Sequence, residues 1–231
     1  MENKRIVEIY SGAYASGKSE TAINRAYQYI KMGKPITLVD LDTVEPAYCL
    51  RPLVPKLEED GIKVVAQTDR FGLGEAASYV TQEQVMVLKN NQTDIIIDVG
   101  YGASGLDILD ILQGIEDETD VRNYLVVNTS KFETKDEESI KEYLDIAKGC
   151  GNRPYKCFDG LISNTHFGDE TTKDDVINGY EILKNVSKDV GIPIFAIGMA
   201  DFLAKDVEMF QHDNTPIWVY RRMMPNAMWW W

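Results

Sequence analysis

Short apolar runs alternate with helical patterns along nearly the whole chain. Strands are predicted at 6–10, 36–39, 63–66, 95–99, 124–127, 160–163 and 194–197, with 217–220 as the last. Several are continuous Val/Ile/Leu runs, Ile95-Ile96-Ile97 among them. That suits a parallel sheet buried on both faces rather than an antiparallel sheet with one wet face. Helices are predicted between them at 19–32, 75–89, 106–113, 135–147, 173–190 and 202–210. Thr134 and Glu137, three residues apart, have the form of a capping box at the start of the fourth. Strand and helix in alternation predict a three-layer α/β fold, a mostly parallel twisted sheet flanked by helices, with right-handed crossovers. No repeat, linker or composition break divides the chain, so one domain over residues 1–231 is expected.

In such sheets ligands bind beyond the carboxyl ends of the strands, so the polar residues that end each strand carry the candidate chemistry. The first strand ends in Gly12-Ala13-Tyr14-Ala15-Ser16-Gly17-Lys18-Ser19, which reads G-x-x-x-x-G-K-S between a strand and a helix. This is the setting of a phosphate-binding P-loop. A polyphosphate needs inward N–H groups, a helix N-terminus and a cation on its outer phosphates. Residues 12–19 and the adjoining Glu20 are expected to line the nucleotide, with Lys18 on the outer phosphates and the Ser19 hydroxyl on Mg²⁺. The fourth strand ends in Asp98 with Gly100 and Gly102 beyond, a Walker B arrangement in which the carboxylate orients Mg²⁺. The second strand ends Val39-Asp40-Leu41-Asp42, two carboxylates two residues apart and so on one side of the strand. One of them could instead cap the following turn. In the nucleotide reading Asp40 supports Mg²⁺ and Asp42 positions the attacking water.

Together, the N-terminal P-loop, the strand ending Val-Asp-Leu-Asp-x-x-x-Pro, Asp98-x-Gly and Asn164-Thr165-His166 resemble the MinD/ParA group. That group, also called CobQ/CobB/MinD/ParA, belongs to the SIMIBI class of P-loop NTPases. The resemblance runs from about Arg5 to about Pro193. It implies a mostly parallel sheet, Mg²⁺-dependent ATP hydrolysis as a nucleotide switch, a homodimer with ATP at its interface and a protein partner. On matching positions it implies phosphate and Mg²⁺ at Lys18 and Ser19, the water-activating acid at Asp42, the Walker B acid at Asp98 and adenine reading by Asn164. One position departs: Ala13 stands where these proteins carry a signature lysine that reaches the partner's nucleotide. A ligase or kinase of the dethiobiotin-synthetase type is the second reading, passing the γ-phosphoryl to a carboxylate substrate held by loops around Arg70 and Tyr101. A nucleotide-sensing module with little turnover is the third.

Asn128 also offers an amide to a base, but Asn128-Thr129-Ser130-Lys131 lacks the spacing of a guanine-reading N-K-x-D, which favours ATP over GTP. His166 could stack on the base or contact the ribose, but such a histidine more often caps a loop, and it is not read as catalytic. Arg70 is open between a substrate contact and a surface ion pair. The 231 residues carry a net charge of −13, which disfavours nucleic acid and anionic lipid. Cys49, Cys150 and Cys157 form no C-x-x-C pair for a disulfide framework or a bridging iron–sulfur cluster, and only two histidines occur. With no apolar leader and no run long enough to span a bilayer, a cytoplasmic location is expected. The tail Met228-Trp229-Trp230-Trp231 is expected to dock on protein, with weak membrane contact as the lesser use.

Overall fold

The computed structural model describes residues 5–43, 49–67, 79–100, 102, 104–147, 153–205 and 214–224. Eight strands form one sheet: β1 (Val7–Gly12), β2 (Ile36–Leu41), β3 (Lys63–Val65), β4 (Asp94–Val99), β5 (Val121–Val127), β6 (Gly160–Ser163), β7 (Ile194–Ala200) and β8 (Ile217–Tyr220). Their order is β3-β2-β4-β1-β5-β6-β7-β8, and every neighbouring pair is parallel. The three-layer α/β expectation is therefore borne out. The chain works outward from β1 toward β3, returns through β4, then crosses to β5 and builds the other half. That reversal places the end of β1 at the topological switch point.

The strands alternate their faces. Leu38, Ile96 and Tyr10 pack with Ala22, Ile23, Ala26 and Tyr29 of α1 (Lys18–Lys31). Val7, Ile9, Val39, Ile95 and Ile97 pack on the opposite face with Val87, Leu88, Leu106 and Leu109. Burial from both sides is why these runs lack the polar alternation of a half-wet strand. The short α2 (Val54–Glu59) precedes β3 and was not evident in the sequence, although Pro55 in its first turn is a helix-starting residue. The helix expected at 75–89 is two shorter ones, α3 (Gln82–Val85) and α4 (Val87–Asn90), separated at Met86. A capping box of Thr81 and Gln84 opens α3; residues 75–78 lie outside the described residues.

The helix expected at 106–113 is a 3₁₀ helix, Gly105–Ile111. Leu106, Leu109 and Leu112 are buried at a spacing of three, the repeat of a 3₁₀ turn, whereas an α-helix needs a mixture of threes and fours. Asp107 and Asp110 on the intervening positions bind the buried Lys156 at 2.7 and 2.9 Å. The expected capping box at Thr134 is displaced. Thr134 donates its hydroxyl to Asn128 O instead, and Asp136 accepts the Ser139 N–H at the start of α5 (Glu137–Ala147). The last α-helix, α6 (Lys173–Val190), has the bounds expected from the sequence and is capped by Thr172 and Asp175. Residues 201–205 form a 3₁₀ turn, and the rest of the helix expected at 202–210 lies outside the described residues. So do Arg70, Tyr101, His212, Cys150 and the three terminal tryptophans. No helix among the described residues is long and apolar enough to cross a membrane.

Candidate functional site

The loop after β1 can exist only with glycine at its two ends. A Cβ on Gly12 would lie 2.4 Å from Val126 O, where β1 and β5 run side by side. Gly17 caps α1 at φ 91°, and a Cβ there would strike the Asn164 side chain. Two strand-end amides hold the loop from behind. Asn164, after β6, donates to Ser16 O at 2.7 Å, and Asn128, after β5, donates to Ala15 O at 3.4 Å. Asn128 also accepts the N–H groups of Ser130 and His166. The two asparagines considered as base readers thus spend amide N–H groups on successive loop carbonyls.

Lys18 is buried, donates to Ala13 O at 3.4 Å, and lies in the field of Asp98 and Asp42. Burial lowers its pKa and the two carboxylates oppose that shift. Asp98 pairs in register with Tyr10 of β1 on one side and Asp40 of β2 on the other. It is 1 % exposed, and neither carboxylate oxygen has a hydrogen bond of good geometry. Burial pushes its pKa well up and Asp40 adds to the shift; Lys18 and the adjacent Ser19 hydroxyl oppose it. Such an orphaned buried carboxylate is rare in folded proteins and marks a place where a ligand is wanted.

Asp40 is different. Its Oδ1 accepts the N–H of Asp42 at 2.8 Å, which makes an Asx turn, and its Oδ2 accepts from Arg51 Nε at 3.1 Å. Arg51 continues to Gln67 Oε1 at 3.0 Å and to the Asp42 carbonyl. Burial raises Asp40 to about 6 against the pull of Arg51. Expected to support Mg²⁺, Asp40 instead has both oxygens engaged in building the end of β2; turn capping was the alternative noted from its sequence position. Asp42 itself is buried and lines the cavity described next.

Glu20, expected among the nucleotide-lining residues, borders the cavity described next and also anchors the C-terminal segment. Its carboxylate accepts the N–H groups of Met223 at 2.6 Å and Met224 at 3.0 Å. Ala13 is fully buried, its methyl packed with Leu125, Val127, Ile140 and Tyr143. Tyr14 is half exposed, and Ala15 takes the left-handed conformation at φ 52°.

A cavity of about 150 Å³ opens on these groups. Its walls are Tyr14, Gly17, Lys18 and Ser19 of the loop, Glu20, Asp42, Asn164–His166, Gly198–Ala200 at the end of β7, and Tyr220, Arg222 and Met224. His166 is held neutral: burial, with Lys131 and Arg222 nearby, brings it down to about 4. Arg51, Gln67, Asn24 and Arg222 were missed in the sequence because a lone polar residue in a loop or on a helix face has no spacing to read. Asn24 alone left a trace, one turn beyond Glu20 on the same face of α1.

No family model matches the sequence, and no curated protein matches it. Solved structures do. The signal recognition particle receptor FtsY from Elizabethkingia anophelis in complex with GDP aligns at TM-score 0.58 and 19% identity, over 86% of this chain and 58% of that one. FtsY from Thermotoga maritima aligns at 0.59 and 20%, over 86% and 63%. FlhF complexed with GTP and Mg²⁺ aligns at 0.52 and 16%, over 82% and 64%. The chain thus spans about 60% of the length of these structures. At these identities the likeness is one of fold alone, a parallel three-layer α/β sheet with a glycine loop after its first strand.

Proposed function

We propose that this chain is a Mg²⁺-dependent nucleoside triphosphatase that works as a nucleotide switch. The observation that carries the reading is Asp98, a buried carboxylate with two orphaned oxygens beside Ser19 and Lys18 of a P-loop. Ser19 and Asp98 are the residues that would hold Mg²⁺. Among the described residues no three His, Cys, Asp or Glu side chains gather into a metal site of their own. This fits an ion completed by substrate phosphates and water. When bound, Mg²⁺ supplies neutralisation of phosphate charge.

The chain's own residues do the rest. Lys18 neutralises the outer phosphates, and Asp98 and Asp42 oppose the lowering of its pKa by burial. Asn128 and Asn164 hold the loop carbonyls so that the loop keeps one shape. Asp42, at the cavity wall, orients the water for in-line attack on the γ-phosphorus; water adds and the nucleoside diphosphate leaves. The fold class supports this reading, and the MinD/ParA likeness of the motifs supports the switch within it.

Ala13 sets its limit. With the methyl packed into the α5 core, no side chain at this position reaches a second subunit's nucleotide. Intrinsic turnover at or below roughly 10⁻² s⁻¹ is expected, the range of P-loop hydrolases working without a cation supplied in trans. A homodimer, if formed, would not owe its catalysis to a shared lysine. The expectation of ATP rested on the missing N-K-x-D spacing after Asn128 and on Asn164, whose Nδ2 donates to Ser16 O. GDP and GTP are named with the neighbouring structures, so both purine triphosphates are the substrates to test.

The experiment is hydrolysis of ATP and of GTP by the purified chain, beside Lys18→Ala and Asp42→Ala. Lys18→Ala should lose both binding and turnover, and Asp42→Ala should keep binding while losing turnover. Tight binding by the wild type with turnover no greater than in Asp42→Ala would reject the hydrolase and leave a sensing module.

A further inference from the structure

After β8 ends at Tyr220 the chain runs back across the first turns of α1. There Glu20 receives two successive backbone N–H groups, those of Met223 and Met224. Consecutive N–H groups aimed at one point form an anion-binding concavity, and a carboxylate filling it makes charge-assisted bonds. One helical turn on, Asn24 accepts the Arg221 N–H at 2.9 Å and donates to the Arg221 carbonyl at 3.0 Å, the pairing a strand neighbour would supply. Asn24 also donates to Glu20 at 3.2 Å, so the two side chains support each other.

The fixed segment faces the cavity. Tyr220, Arg222 and Met224, every second residue, line it together with Met199 and His166. Arg222 is also paired with Asp169, from the turn after β6. The P-loop occupies the phosphate side, which leaves this wall for the nucleoside. Methionine thioethers and a guanidinium plane suit the face of a flat heterocycle.

We propose that residues 220–224 form the wall against which the nucleoside lies, and that Glu20 and Asn24 are positioning residues that hold it there. The inference rests on the nucleotide reading above. It adds a mechanical statement: Ser19, on the phosphate side, and Glu20, anchoring the nucleoside side, are consecutive residues in one helical turn. One helix therefore sets the distance between the two halves of the site.

The test compares two ligands by titration calorimetry in Mg²⁺: a nucleoside triphosphate, ATP and GTP in turn, and inorganic tripolyphosphate, which has no nucleoside. Glu20→Gln and Asn24→Ala should bind tripolyphosphate as the wild type does, and the preferred triphosphate about 10-fold more weakly, the loss of roughly one charge-assisted bond. Arg222→Ala, at a half-buried position that anchors nothing in the core, should show the same split if the anchor variants fold poorly. Equal loss for both ligands, or no loss for either, would overturn the proposal. So would a wild type that binds the triphosphate no tighter than tripolyphosphate, while leaving the phosphate site intact. A wild type that binds neither ligand removes the nucleotide reading itself.

Discussion

Asp40 and Asp98 end neighbouring strands in the same register, lie on the same face of the sheet and are both buried. One has every oxygen engaged, by the Arg51 guanidinium and the Asp42 N–H. The other has neither oxygen well bonded. A buried carboxylate costs several kcal/mol unless it is paired. Asp40 meets that cost inside the fold. Asp98 leaves it standing, which a protein tolerates where a cation is to be bound. The comparison separates a residue that builds the site from one that works in it, although both look alike in sequence.

The largest expected effect breaks the closed side. Arg51→Ala strands the Asp40 charge and should cost about 3–5 kcal/mol, a fall in melting temperature of roughly 10 °C for a chain this size. Combining Arg51→Met with Asp40→Leu removes both charges and should recover most of that loss. If the double variant melts as low as the single one, the pair does more than satisfy itself.

The same comparison extends to His166, a half-buried base on the cavity wall with the cations Lys131 and Arg222 nearby. Its folded pKa, about 4, lies below the ordinary value of 6.5. Its contribution is therefore fully present above pH 6.5 and is lost as pH falls toward 4, because the unfolded chain takes the proton first. The effect is at most on the order of 3 kcal/mol. His166→Gln should flatten the melting temperature between pH 6.5 and 4 relative to wild type; an unchanged slope would place the acid sensitivity elsewhere. Smaller still, Gln67→Ala removes one acceptor from Arg51 and should cost about 1–3 kcal/mol by thermal melting, with Asp40 still paired.

The strands were legible because burial on both faces writes itself as unbroken runs such as Ile95-Ile96-Ile97, and the P-loop because its glycines answer to geometry that no other residue meets. Ser19, Lys18 and Asp42 line one cavity, and Asp98 lies beside Lys18 and Ser19. The rest depended on contacts between residues distant in the chain. Asp40 and Asp98 could be told apart only once Arg51 was seen beside the first. Asn164 was assigned to a base because its sequence position carries that likeness, whereas its partner, Ser16 O, lies 148 residues away. Glu20 was read with the loop it follows and does border the cavity, but its bonds to the Met223 and Met224 N–H groups, 203 and 204 residues on, had no trace in the sequence.

The most direct measurement is titration of a non-hydrolysable nucleoside triphosphate into wild type and Asp98→Asn, with and without Mg²⁺, alongside the melting temperature of each unliganded protein. Wild type should bind at least about 10-fold tighter with Mg²⁺, an increment of roughly 1.4 kcal/mol. Asp98→Asn should lose that gain while melting at or above wild type, because a carboxyl group whose charged form burial disfavours has been replaced by a neutral amide. A variant that keeps the full Mg²⁺ gain, or that melts well below wild type, would contradict the account.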